Sequence, residues 1–112
     1  MATMNTPVLV GSGNWKGEVL QSDRPVVVDF FAPGCQVCQR MEPIVHRMAN
    51  IYADQVKIAL CNVAEAPDIA QELHVMASPT FVFYKRGQVV DTLVGYVDEE
   101  HMRSKLQEVL AA

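Results

Sequence analysis

The stretch Arg24-Pro25-Val26-Val27-Val28-Asp29-Phe30-Phe31-Ala32-Pro33-Gly34-Cys35-Gln36-Val37-Cys38 decides the fold. Its first part is short, β-branched and aromatic, and is bounded by Pro25 and Pro33-Gly34, so it reads as a strand covered on both faces, the kind found in parallel sheets. Directly after it come two cysteines three apart, followed by Val37, Met41, Ile44, Val45 and Met48, the apolar stripe of an amphipathic helix running toward Ile51 with Pro43 inside it. Strand, reactive pair and helix therefore follow one another where open α/β sheets place their chemistry.

Working outward, Val56 to Val63 reads as a second buried strand, and Pro67-Asp68 opens a short helix ending near Leu73. Two parallel strands joined by a helix require a right-handed crossover. On the N-terminal side, Pro7 to Val10 suggests a short edge strand and Ser12 to Gln21 a helix carrying Trp15 and Leu20, although glycines at 11, 13 and 17 weaken it. On the C-terminal side, Thr80 to Tyr84 and Val89 to Val94 flank Lys85-Arg86-Gly87-Gln88 as an antiparallel hairpin. Asp98 then caps a last helix whose Met102, Leu106, Val109 and Leu110 form one face. The whole is an α/β mixed sheet with helices on both sides.

The chain has 112 residues, half of them apolar, enough to bury one ordinary core, so residues 1–112 are expected to form a single domain. Nine basic against thirteen acidic residues give a formal charge of −4, which provides no positive field for a phosphate backbone, and nucleic acid is not expected as a partner. Three cysteines are an odd number in a chain of this size, which argues for a reducing compartment rather than a secreted disulfide framework. Met1 to Asn14 lack the pattern of a signal peptide, and no run of eighteen apolar residues occurs, so the expectation is a cytoplasmic protein without membrane contact.

A CxxC alone also occurs as half of a zinc site, but the strand-to-helix context is that of a redox centre. Cys35 is the expected nucleophile, because the unpaired N–H groups and positive end of the helix stabilise a thiolate. Cys38, one turn further in, is the expected resolving thiol. In a regular helix such a pair would have Cβ atoms about 5 to 6 Å apart, against about 3.8 Å in a disulfide, so the oxidised form must adjust the first turn. Asp29 is an acid in an apolar strand, on the face of Val27 and Phe31. Desolvation should raise its pKa, and a place near the dithiol would let it accept and return the Cys38 proton.

These residues carry a resemblance to the thioredoxin family along nearly the whole chain, from about Trp15 to Leu110. The core strand and active-site turn with Pro43 beyond match in order and spacing, Asp29 falls on the family's buried acid, and Ser78-Pro79-Thr80 looks like its cis-proline turn. Gly87 and Gly95 fall on a hairpin glycine and on a glycine beside the substrate groove. The resemblance implies a thioredoxin fold, a central mixed five-stranded sheet flanked by four helices. It implies a thiol-disulfide oxidoreductase whose reversible Cys35–Cys38 disulfide acts without a bound cofactor or metal. Protein disulfide targets would dock across Gly34, Ser78, Pro79 and Gly95, and a thioredoxin reductase-type donor would supply electrons to a monomer.

The sequence departs from the family in three ways. Gly34 replaces the tryptophan of Trp-Cys-Gly-Pro-Cys, Gln36-Val37 replace its glycine-proline pair, and Leu60 stands where a buried lysine partners the acid. The first two changes remove a flat docking surface and free a backbone N–H near the sulfurs, with a more oxidising potential as the expected result. The third should raise the Asp29 pKa further. A binding or assembly module on the same fold, and a dedicated oxidase or isomerase, remain alternatives. Cys61 reads as a buried inert thiol. His46, His74 and His101 lie at no metal-ligand spacing.

Overall fold

The computed structural model describes residues 6–112; of the sequence expectations, the absence of a signal peptide and the extent of the single domain fall partly on residues 1–5, outside the described part. Five strands, β1 (Val8–Val10), β2 (Val26–Phe31), β3 (Lys57–Asn62), β4 (Thr80–Lys85) and β5 (Gln88–Val94), form one sheet in the order β1-β3-β2-β4-β5. β1 and β2 both run parallel to β3, whereas β4 is antiparallel to β2 and to β5. The expected mixed sheet, with the Val26 to Phe31 strand at its centre, is therefore present.

Period-two alternation along β2 divides the core. Val27 faces α1 (Gln36–Ile51) and α3 (Glu99–Ala111), packing with Met41, Val45, Met48, Met102 and Leu106. Val26, Val28 and Phe30 face the other way, toward Val19, Ile69 of the short α2 (Pro67–Glu72), and Trp15. Both faces of the strand are thus dry, which explains its lack of polar alternation; each large side chain so buried contributes about 1.5–3 kcal/mol. Trp15 sets its ring 6.0 Å from Phe30 and 5.9 Å from Tyr84, joining the sheet as a core aromatic.

The expected helix over Ser12 to Gln21 is shorter and of a different kind. It is a single π-helical segment, Lys16–Leu20, closed by the Gln21 N–H on the Lys16 carbonyl at 2.9 Å. Asn14 takes the preceding residues out of the helix: its side-chain oxygen accepts from Gly11 N–H at 2.8 Å while its amide donates to the Leu9 carbonyl at 3.0 Å. Such local side-chain bonds compete with helical ones.

The hairpin forms as expected, with Arg86 and Gly87 at φ of 54° and 77°. A Cβ at Gly87 would come within 2.7 Å of the Leu20 carbonyl oxygen, so space as well as φ demands glycine there. Lys85 reaches from the hairpin to α3. Its ammonium donates to the Val109 carbonyl at 2.8 Å and to those of Leu110 and Ala112, closing the C-terminal end of α3. At the other end of α3 the Asp98 side chain accepts from His101 N–H at 2.8 Å, the expected cap.

Candidate active site

The carboxyl end of β2 delivers the chain through Pro33 and Gly34 to α1. Gly34 turns it with a φ of 74°, a conformation glycine adopts without strain. Cys35 is the N-cap of α1, with extended backbone angles of −79° and 108°, and Cys38 lies inside the first turn. The two are joined as a disulfide with Cα atoms 5.2 Å apart. The adjustment required of a helical pair is made here, by leaving Cys35 outside the helix.

The cap geometry aims donors at sulfur. Cys38 N–H donates to Cys35 Sγ at 3.1 Å, so the N-terminal dipole of α1 ends on the outer sulfur. Cys35 is half-buried at the rim and Cys38 is buried behind it.

A second loop meets the first. The Ser78–Pro79 peptide is cis, and the Ser78 carbonyl oxygen lies 3.7 Å from Cys35 Sγ. Gly95, at a φ of 88°, donates its N–H to the Pro79 carbonyl at 2.8 Å. Gly34, Cys35, Ser78, Pro79 and Gly95, drawn from three separate segments of the sequence, therefore share one rim.

Beneath the rim is a cleft of about 230 Å³ lined by Asp29, Phe31, Cys35, Cys38, Glu42 and Leu60 among others. Asp29 is 5% exposed, and its Oδ1 has no hydrogen-bond partner. Burial, reinforced by the charge of Glu42, pushes its carboxyl up to about 7. Leu60 is its Cα partner across the parallel β2–β3 ladder, so the position from which a lysine would reach it is apolar.

Other sequence candidates fall elsewhere. Cys61 is fully buried on the opposite face of the sheet, with Val10, Phe30 and Ile69, and burial pushes its thiol up to about 11. His46, His74 and His101 are exposed. Among the described residues, no three His, Cys, Asp or Glu side chains gather as a metal-binding group, and no helix is long and apolar enough to cross a membrane.

Two features of the site escaped the sequence reading. Glu42 follows Cys38 by four residues, the helical spacing that puts both on one face, and this signal was present in the sequence. The Arg40 guanidinium lies 4.8 Å from the centre of the Tyr96 ring, a pairing between segments that no local pattern announces.

A disulfide-forming CxxC at the N-cap of a helix, beside a cis-proline loop on a mixed five-stranded sheet, defines a protein thiol-disulfide oxidoreductase. The family model described as Thioredoxin matches residues 6–108. Thioredoxin 1 of Synechococcus elongatus is 38% identical over 107 residues, covering 96% of this chain and all of that protein. Thioredoxin of Alicyclobacillus acidocaldarius is 37% identical over 93 residues, 83% of this chain and 89% of that one. The crystal structure of Malassezia sympodialis thioredoxin superposes with a TM-score of 0.86 at 29% identity, covering 98% of this chain and 96% of that one. The chain belongs to the thioredoxin family.

Proposed function

We propose that this oxidoreductase reduces disulfides of target proteins, with Cys35 as nucleophile, Cys38 as resolving thiol and Asp29 as proton acceptor. The observation that carries the reading is the placement of the two sulfurs, one at the rim under the helix N-terminus and one buried over the Asp29 cleft. The Cys35 thiolate attacks one sulfur of a target disulfide, and the other leaves as a thiolate that takes a proton from water. Cys38 then gives its proton to the Asp29 carboxylate and attacks Cys35. The Cys35–Cys38 disulfide forms, the second target sulfur leaves, and two electrons have passed to the target.

An Asp29 carboxyl near 7 suits this role, since a base works best when its pKa is near the working pH. Gly34, Ser78, Pro79 and Gly95 supply the docking rim, where an extended target segment pairs with the backbone of Ser78. In this reading the chain is one monomeric domain of the cytoplasm, needs no bound cofactor, and is recharged by a thioredoxin reductase-type donor.

The test is trapping and recharging. Cys38→Ser is expected to accumulate a Cys35-linked mixed disulfide with a protein substrate, and the wild type to be reduced by NADPH with a thioredoxin reductase. Failure of Cys38→Ser to form any adduct would contradict the assignment of Cys35, and failure of the reductase alone would redirect the electron source.

A further inference from the structure

Besides the dithiol and Asp29, the cleft under the rim is lined by one other ionisable side chain, Glu42. It is exposed, stands one helical turn beyond Cys38, and makes no ion pair among the described residues. The remaining surroundings of Asp29 are apolar: β3 presents Ile58 and Leu60, β4 presents Phe81, and α3 presents Met102 and Leu106. The titratable groups facing Asp29 are therefore Cys35, Cys38 and Glu42, and with the two cysteines joined as a disulfide the one that remains is Glu42.

We propose that Glu42 is a positioning residue of the exchange reaction that acts through Asp29, standing as a second carboxylate over a cleft that presents no cation and so setting the pH at which Asp29 takes and releases the Cys38 proton. A like charge disfavours the ionised form of its neighbour, which is the direction in which Glu42 moves Asp29. In each cycle the proton leaves Cys38, rests on Asp29 and passes to bulk water through the cleft mouth; Glu42 gains and loses no electrons. Because Glu42 is exposed, salt weakens its hold.

The inference rests on Asp29 being the proton acceptor, and the experiment separates the two. The pH profile of protein-disulfide reduction is measured for the wild type, Glu42→Gln, Glu42→Lys, Glu42→Asp, Asp29→Asn and the Asp29→Asn/Glu42→Gln double variant. Alongside it, the Asp29 carboxyl carbon is titrated by NMR in the oxidised proteins, where neither Cys35 nor Cys38 titrates. Glu42→Gln is expected to move the acid limb of the profile and the NMR midpoint down together by about 0.5 pH unit, and Glu42→Lys by about twice that. Glu42→Asp is expected to keep both near the wild type, and the double variant to match Asp29→Asn. An unmoved midpoint in Glu42→Gln, or a Glu42→Gln effect that persists without Asp29, overturns the role of Glu42. A profile unchanged by Asp29→Asn overturns the Asp29 reading itself.

Discussion

Asp29 and Leu60 are Cα partners across the parallel ladder of β2 and β3, an acid beside a leucine at the floor of the dithiol cleft. In the family pattern a lysine occupies the Leu60 position. Here that position is apolar, and Asp29 is buried with one oxygen unpartnered and its carboxyl pushed by burial up to about 7. A carboxylate so placed is a liability to the fold, and in the proposed mechanism it serves proton transfer.

The liability is measurable. The folded-state value of about 7 lies above the unfolded value of about 3.9, so between them the native chain holds a proton that the unfolded chain has lost. Stability falls as pH rises through this window and stays low above it, a loss of about 4 kcal/mol. Asp91, Asp98 and Glu99, whose carboxyls are held low by hydrogen bonds from Lys105, His101 and Arg47, act in the opposite sense at lower pH. The difference between wild type and Asp29→Asn isolates the effect. Urea unfolding is expected to show the variant gaining relative stability from pH 4 to pH 7; a constant difference would contradict the buried ionisable carboxyl.

Restoring a cation should reverse the shift. In Leu60→Lys the ammonium would stand beside Asp29, and an opposite charge that close lowers a carboxyl pKa by about 1 unit or more. NMR titration of Asp29 checks it, and an unchanged or higher midpoint would show that Leu60 is not what leaves the acid unpaired.

Cys61 is predicted to be a spectator. It is buried with no exposed surface, and its thiol is pushed up to about 11. Native protein with the dithiol oxidised is expected to resist alkylation at pH 8 and to become reactive only in denaturant, and Cys61→Ala to exchange disulfides at the wild-type rate. Rapid native labelling would contradict its place in the core.

Much of this was legible because it is local. The β2 run, the cysteine spacing, the Asp98 cap and the glycine of the hairpin are each decided by a few adjacent residues, and each stands where the sequence put it. The helical segment starts later than the expected Ser12 because its start depends on Asn14 bridging Gly11 and Leu9 and on Trp15 packing against Phe30 and Tyr84. Propensity does not see such bonds. Lys85 on the last carbonyls of α3 and Arg40 on Tyr96 join segments far apart in the chain, and only the fold brings them together.

The potential of the couple follows from the active-site turn. Val37 supplies an N–H where the family pattern has proline, next to the Cys38 N–H that already reaches Cys35 Sγ at 3.1 Å. Donors favour thiolate and so the reduced form. Titration against glutathione is expected to give a midpoint less negative than the thioredoxin value of about −270 mV, and a value at or below that would contradict the argument.

The central claim, that Cys35 and Cys38 together carry protein-disulfide exchange, is tested most directly by the turnover of insulin disulfides with dithiothreitol as electron donor. The wild type is expected to accelerate the reaction, Cys35→Ser to abolish that acceleration and Cys38→Ser to stall after a mixed disulfide. A Cys35→Ser protein that reduces insulin as fast as the wild type would contradict it.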